Sequence, residues 1–340
     1  MNSSTSNSDS PKTSNSEGGE LVGTNELKVV AFVLLVLLTV EFSIRATESR
    51  LSADLSTIRQ FPQVAQSIAD ERAGGKGTVL ILGNSISREG IDPNILQANP
   101  DWVTANYTCQ KAVADGTAVT DWYYTFKRYF VRPGKMPDVI VLPYEGKNGG
   151  HFRDDRLVVP DRLGQFFCAT ADLPELLRED VTPFVDRADC LLSRSSLAFA
   201  NRERIRKRCL DVVIPHYRHT AEWINDVQWD RAQSERDRNV GPQTFTRLER
   251  YNELAQRNNV QLILVAMPIA EPYELGQRFR NFLMNKQIPL IDGREVAGVT
   301  AKMIPDGLHM NTAGSELFSE FLAKRLIGRG GLIKSVESVR

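Results

Sequence analysis

Hydrophobic and polar positions follow two alternating patterns along most of the chain, and together they predict an α/β protein. Five short apolar runs predict buried parallel strands: Thr78–Leu82, Trp102–Tyr107, Asp138–Leu142, Gln261–Met267 and Ile288–Ile291. Between and after these runs, apolar residues recur at helical spacing, as in Phe245, Leu248, Tyr251 and Leu254, and again in Leu317, Phe318, Phe321, Leu322 and Leu326. Strands that alternate with helices predict a doubly wound parallel sheet, whose functional sites lie beyond the carboxyl ends of the strands.

The N-terminal region has a different pattern. Residues 1–26 are rich in Ser, Asn, Thr and Gly, which predicts a disordered tail. The apolar run Val29–Val40 follows and predicts a transmembrane helix over residues 27–45. Counted from Lys28 to Arg45, this helix would be about 26 Å long, slightly shorter than the ~30 Å hydrocarbon layer. A cleaved signal peptide and a buried core helix are the alternatives. The first fits poorly after so long a polar tail, and the second fits poorly because the run has no polar face.

The rest of the chain divides by pattern into three parts, the second of which contains an insertion. Residues 46–76 predict a helical stalk, and residues 77–328 predict the α/β domain. Residues 151–243 interrupt its strand–helix rhythm with a charged, mostly helical insertion, which we interpret as a cap or subdomain. Residues 329–340 are left as a C-terminal tail. The Lys and Arg residues that flank the apolar run favour a cytoplasmic C-terminal side by a margin of one residue.

Composition excludes several classes of function. The 340 residues carry 42 Lys and Arg and 42 Asp and Glu, so the chain lacks the basic footprint that nucleic-acid binding needs. Its four cysteines show no CxxC spacing, which argues against a zinc ribbon or a thioredoxin-like site. His216 and His219 form a possible metal-binding pair without a third ligand, and we interpret them as part of a solvated helix face. We therefore predict neither a metal nor a cofactor.

Two motifs carry candidate chemistry, one at each end of the predicted α/β domain. Ser85 follows the first strand in Gly83-Asn84-Ser85, where a tight strand-to-helix turn would expose its hydroxyl. Taken alone, such a serine is more often a helix N-cap. Near the last helix, Asp306 and His309 lie three residues apart, so the carboxylate can orient the imidazole while the imidazole takes a proton from a hydroxyl. A capping Asp and a surface His are common separately, but the two motifs together predict nucleophilic catalysis.

In these motifs the chain resembles the SGNH, or GDSL-like, hydrolase superfamily. The family's first block, G-D-S-x-x-x-G, matches Gly83 through Gly90 with Asn84 in place of Asp, and its last block, D-x-x-H, matches Asp306 through His309. Two middle blocks match more weakly. Gly116 is the single glycine available for the first of them, and Gly146-Lys147-Asn148 keeps G-x-N of the second.

The resemblance implies a flavodoxin-like, doubly wound, five-stranded parallel sheet, the SGNH hydrolase fold, here with a helical insertion and an N-terminal transmembrane helix. It also implies acyl transfer. Ser85 would be the nucleophile, His309 the general base and Asp306 its orienting carboxylate, while Ser85, Gly116 and Asn148 would form the oxyanion hole.

The resemblance and the membrane helix together imply a serine-dependent ester hydrolase or O-acyltransferase that acts through a Ser85 acyl-enzyme. A tethered domain of this type is similar to accessory proteins of polysaccharide O-acetylation and teichoic-acid D-alanylation. That similarity implies an acyl-ester or polysaccharide substrate, a membrane-bound O-acyltransferase as partner, a bilayer contact through residues 27–45, and an extracytoplasmic catalytic domain. The alternative is a non-catalytic glycan-binding or scaffold protein of such a complex.

Overall fold

In a computed structural model of the chain, five parallel strands form one sheet in the order β2-β1-β3-β4-β5. The strands are β1 Gly77–Gly83, β2 Tyr107–Val113, β3 Val139–Tyr144, β4 Gln261–Ala266 and β5 Leu290–Asp292. The structure describes residues 24–48, 53–154, 158–214, 217, 244–328 and 331–332. This strand order is the predicted doubly wound arrangement, so the fold class is confirmed. All five strands point their carboxyl ends toward the same edge of the sheet.

Helices cover both faces of the sheet. Before and between the first strands lie α1 Thr24–Thr47, α2 Ala53–Ile58, α3 Phe61–Ala73, α4 Ser85–Gly90, α5 Pro93–Ala98, α6 Pro100–Thr104 and α7 Val119–Phe126. After β3 come a 3₁₀ helix at Lys147–Phe152 and the helices α8 Pro160–Arg162, α9 Leu173–Glu179, α10 Phe184–Ser195, α11 Leu197–Ala200, α12 Arg202–Val213, α13 Thr246–Arg257, α14 Gln277–Asn285 and α15 Thr312–Leu326. Ile327–Gly328 and Gly331–Leu332 pair as a short antiparallel ribbon.

The hydrophobic core lies in two layers, one on each face of the sheet. Alternate residues of a strand point to opposite faces, so Leu80 and Leu82 of β1 enter one layer while Val79 and Ile81 enter the other. The layer that contains Leu80 is closed by α3, α7, α13 and α14, and the layer that contains Val79 is closed by α5, α6 and α15. Burial on both faces explains why these strands appear in the sequence as continuous apolar runs.

The predicted second strand, Trp102–Tyr107, is wrong. Asn99 caps α6 by accepting a hydrogen bond from the backbone N–H of Asp101 at 3.0 Å, and Pro100 starts the helix. The strand begins only at Tyr107. It lies at the edge of the sheet, where the polar residues Gln110 and Lys111 interrupt its apolar pattern. The sequence pattern therefore does not reveal this strand.

The segment interpreted as a stalk, residues 46–76, contains α2 and α3, and both pack against the sheet. Leu55, Ile58 and Phe61 are almost fully buried in the same core layer as Leu80 of β1. Between residues 151 and 243 the described part is mostly helical, from α8 to α12. All four cysteines carry free thiols, and three of them are buried.

The chain divides into two compact units, Met1–Ala46 and Thr47–Arg340. Residues Glu26–Thr47 of α1 contain an 18-residue window with a mean hydropathy of 2.4, so this helix is long and apolar enough to cross a membrane, a test that a signal sequence would also pass. These 22 residues span about 33 Å at 1.5 Å per residue. The helix is therefore longer than the segment predicted from the sequence, and its length is comparable with the ~30 Å thickness of a hydrocarbon layer.

Candidate active site

Ser85 lies on a tight turn between β1 and α4. The side chain of Asn84 caps the helix, because its Oδ1 accepts the backbone N–H of Ile86 at 3.1 Å. A Cβ at Gly83 would come within 2.0 Å of Ser87 Oγ, so the turn requires glycine at this position. This geometry presents Ser85 at the carboxyl end of β1, where a doubly wound sheet places its sites.

The C-terminal end of α4 is fixed by a half-buried lysine from the neighbouring strand β2. Nζ of Lys111 donates to the backbone oxygens of Arg88 at 2.9 Å and Ile91 at 2.7 Å. Burial lowers the pKa of this ammonium group. Both ends of the short helix that carries Ser85 are therefore held by hydrogen bonds from side chains.

Ser85, His309 and Asp306 form a connected chain of hydrogen bonds. His309 Nε2 is 2.9 Å from Ser85 Oγ, and His309 Nδ1 is 2.6 Å from Asp306 Oδ2. Residues more than two hundred positions apart in sequence thus meet at the same edge of the sheet. The order hydroxyl, imidazole, carboxylate is the one in which an imidazole can withdraw a proton from the hydroxyl while the carboxylate fixes its tautomer.

The loop that carries Asp306 also lowers the pKa of the Asp306 carboxyl. Asp306 Oδ1 accepts the backbone N–H groups of Leu308 at 3.0 Å and His309 at 2.7 Å, which closes a tight turn. Burial works to raise the pKa of the Asp306 carboxyl, but these hydrogen bonds and the His309 ring outweigh it and lower the pKa to about 2. Asp306 is therefore an anion at neutral pH, as an orienting carboxylate must be.

The three residues open onto a cleft of about 650 Å³. Six of its eight lining residues have polar or charged side chains, namely Ser85, Arg88, Glu89, Asp115, Asp306 and His309, and the other two are Pro305 and Met310. Arg88 on the wall pairs with Asp115 and with Glu89, the latter at 2.8 Å. An open cleft with charged walls suits a polar substrate better than a long alkyl chain.

The predicted oxyanion donors follow the strands that flank β1. Gly116 comes after β2 with a φ of 64°, a left-handed conformation that favours glycine, and its neighbour Asp115 lines the cleft with Ser85. Asn148 comes after β3 in the 3₁₀ helix, and its side chain lies outside the described residues. The Ser85 N–H lies at the start of α4. The sheet thus brings the three positions to one edge, and their role as donors stays a prediction.

The sequence pattern did not identify His151 as part of the site's framework. It is 4% exposed and stacks against Trp122, and its Nε2 lies 2.9 Å from Asn84 Nδ2. Because Asn84 Oδ1 already accepts the N–H of Ile86, Nδ2 faces His151 and donates to it. His151 therefore joins the 3₁₀ helix that contains Asn148 to the turn that contains Ser85, a tertiary contact that no local motif encodes.

No cluster of three or more His, Cys, Asp or Glu side chains that could hold a metal ion occurs within the described ranges. The candidate pair His216 and His219 lies outside them.

No family model matches the chain, and no curated protein matches it. Among solved structures, the chain is similar to a GDSL-like lipase from Bacteroides thetaiotaomicron, with 13% identity over 77% of this chain and 96% of that one and a TM-score of 0.33. It is also similar to an acetyl xylan esterase from Geobacillus stearothermophilus, with 12% identity over 72% of this chain and 93% of that one and a TM-score of 0.34. Similarity at this level does not carry an activity from one protein to another, so the function follows from the geometry of the site.

Proposed function

We propose that the chain is a serine-dependent ester hydrolase of the SGNH type that works through an acyl-enzyme on Ser85. The observation that carries the proposal is the continuous contact from Ser85 Oγ through His309 to Asp306, at 2.9 and 2.6 Å, at the open edge of the sheet. A serine that only caps a helix needs no imidazole beside it. A surface histidine needs no hydrogen-bonded carboxylate whose pKa is lowered. The combination is the arrangement that activates a hydroxyl.

In the first half of the reaction, Ser85 Oγ attacks the ester carbonyl carbon while its proton passes to His309 Nε2. The tetrahedral oxyanion is stabilised by the predicted donors, the N–H groups of Ser85 and Gly116 and the amide of Asn148. The C–O bond to the leaving alcohol breaks, and the proton on His309 goes to that alcohol. In the second half, water attacks the acyl carbon while its proton passes to His309 Nε2; the bond to Ser85 Oγ breaks, the carboxylic acid leaves and His309 returns the proton to Ser85.

The test is hydrolysis of p-nitrophenyl acetate together with labelling by a fluorophosphonate probe. We expect Ser85→Ala to abolish both. Ser87→Ala is the matched control, because Ser87 lies on the same helix and its buried Oγ makes no hydrogen bond among the described residues. Ser87→Ala should keep both activities. Full labelling of Ser85→Ala would remove Ser85 from this role. No turnover and no labelling of folded wild-type protein would instead support the scaffold alternative.

The proposed substrate is an acyl ester of a cell-surface polysaccharide, with transfer to a sugar hydroxyl as the alternative to hydrolysis. The charged side chains that line the cleft, Arg88, Glu89 and Asp115, and the membrane-compatible helix α1 support this choice. We further propose a membrane-bound O-acyltransferase as partner. Measuring acetate release and acetylated sugar in parallel, with and without an oligosaccharide acceptor, separates the two reactions. Acetate release that the acceptor leaves unchanged, without acetylated sugar, would exclude transfer.

We propose that α1 is a single-pass anchor and that the catalytic unit is extracytoplasmic. A fusion of alkaline phosphatase after residue 340 should be active, because that enzyme needs an oxidising compartment to form its disulfides. The mass of the membrane-extracted protein should include α1. An inactive fusion would place the unit in the cytoplasm, and a mature protein that lacks α1 would show a cleaved signal sequence instead.

A further inference from the structure

The peptide bond between Asp115 and Gly116 is held from outside the catalytic strands. Its carbonyl oxygen accepts a hydrogen bond from Nη1 of Arg162, which belongs to α8 in the insertion, at 2.7 Å. Nη2 of the same guanidinium pairs with Asp54 Oδ2 of α2 at 3.0 Å, and Asp54 Oδ1 accepts the backbone N–H of Asp115 at 2.8 Å. The ion pair between Asp54 and Arg162, which lie on two remote helices, therefore forms hydrogen bonds with both the N–H and the C=O of Asp115.

These hydrogen bonds fix the direction of the Gly116 N–H. A trans peptide is planar, so its N–H and C=O point in opposite directions, and an oxygen held by Arg162 turns the Gly116 N–H away from Arg162. Without a restraint, the peptide could rotate cheaply by half a turn, because glycine adopts positive and negative φ almost equally well. In the rotated state the N–H would face the Arg162 guanidinium, which only donates. Arg162 thus opposes one of the two orientations.

The Asp54–Arg162 ion pair is shielded from water and has a further contact with an aromatic ring. The side chains of Asp54 and Arg162 are 14% and 15% exposed, so the contact is shielded from water and weakly screened. The guanidinium lies over the ring of Phe167, with its Cζ 5.5 Å from the ring centroid. A second arginine, Arg204 of α12, approaches Asp54 Oδ2 at 3.8 Å but has no contact with Asp115 or Gly116 in the described hydrogen bonds.

We propose that Arg162, held by Asp54, is a positioning residue that keeps the Asp115–Gly116 peptide in the orientation in which Gly116 donates to the oxyanion. The proposal rests on the proposed function and assigns a role to the insertion and to the segment after the membrane helix. A charged donor on the carbonyl also polarises the peptide, which strengthens its N–H as a donor.

The test compares Arg162→Met with Arg204→Met, since both variants remove a guanidinium from Asp54 and only the first releases the peptide. For Arg162→Met we expect kcat to fall about tenfold to a hundredfold, which is less than the loss of a whole oxyanion donor, with KM within about twofold of wild type. A boronic acid forms a tetrahedral adduct with an active serine. Its inhibition constant should rise by the factor by which kcat/KM falls. Arg204→Met should keep kcat, KM and boronate inhibition within about twofold.

Circular dichroism checks that each variant is folded, and Arg162→Leu against Arg204→Leu, which also carry no donor, replaces the pair if a methionine variant is not. A folded Arg162 variant whose kcat and boronate inhibition match those of its Arg204 counterpart would overturn the proposal. A crystal structure of the Arg162 variant shows the orientation of the Asp115–Gly116 peptide directly, and we expect the carbonyl of Asp115 to have rotated. An unrotated carbonyl would contradict the proposal even if the enzyme assignment stands. A wild type without turnover or labelling would instead contradict the enzyme assignment.

Discussion

The two halves of the candidate site are built in different ways. The acid–base half consists of side chains that touch one another directly, Ser85 to His309 to Asp306, and each comes from a short turn at the edge of the sheet. In the oxyanion half, the Gly116 donor is a backbone group whose direction depends on Arg162 and Asp54, two residues in helices outside the catalytic strands.

The two halves therefore depend on different properties of the protein: the first on residue types, the second on the orientation of a peptide group. The acid–base half needs the right residue types on the turn after β1 and on the loop before α15, and the doubly wound sheet brings both to its carboxyl edge. Most residues can provide a backbone N–H, so the oxyanion half depends on which way a peptide points, and remote contacts decide this. Substitutions in the first half should therefore remove chemistry, whereas remote substitutions around the second should lower kcat by smaller factors.

The largest effect that sharpens this comparison is expected at Asp306. Asp306→Asn leaves the shape of the turn but removes the charge that stabilises a protonated His309. We expect kcat to fall by about 10³- to 10⁴-fold, as in other triads. The exposed carboxylate Glu320 of α15 provides the control, since Glu320→Gln removes one charge without touching the site. Equal activity of the two variants would show that Asp306 serves only as a cap of its turn.

The pH dependence of Asp306 follows from its depressed pKa. The folded value of about 2 lies below the ordinary 3.8, so the carboxylate stabilises the fold fully above pH 3.8 and loses this effect as the pH falls through 2. We expect the carbon resonance of the Asp306 carboxyl, followed by NMR, to titrate near pH 2. A midpoint near 3.8 would mean that the hydrogen bonds from His309 and Leu308 are not formed in solution.

Asn148 should give the next largest effect, within the oxyanion half. If its amide donates to the oxyanion, Asn148→Ala should lower kcat by about 10²- to 10³-fold with little change in KM. Asn148→Asp is the sharper variant, because a carboxylate has almost the same shape, only accepts hydrogen bonds and repels the oxyanion. It should lose at least as much activity as the alanine variant. Steady-state kinetics that show both variants at wild-type kcat would exclude Asn148 from the hole.

The smallest effect is expected at His151, which supports the junction of the two halves. His151→Phe keeps a ring against Trp122 but removes Nε2, which accepts from Asn84 Nδ2 and also lies 3.2 Å from Glu145 Oε1. A single hydrogen bond contributes about 0.5–1.5 kcal/mol, so kcat should fall about threefold to tenfold. His151→Gln can accept the same hydrogen bond and should restore part of the loss. Equal kcat in both variants would show that the contact with Asn84 does not matter to the reaction.

The same contrast explains what the sequence could predict. The nucleophile turn and the Asp306–His309 loop are local motifs next to strongly apolar elements, and both could be found from residue types and spacing. β2 was misplaced because an edge strand tolerates Gln110 and Lys111, while the more apolar Trp102 lies in a short helix. The remote supports at His151, Arg162 and Asp54 depend on tertiary contacts, and no spacing rule connects them to the site.

The most direct test of the central claim is to locate the fluorophosphonate adduct by mass spectrometry and to measure how fast it forms. Trypsin should release the peptide Gly77–Arg88, which contains both Ser85 and Ser87, and fragmentation separates the two serines. We predict an adduct on Ser85 alone and a rate of formation at least about 10³-fold lower in His309→Ala. An adduct on Ser87 or elsewhere, or an unchanged rate in His309→Ala, would contradict the account.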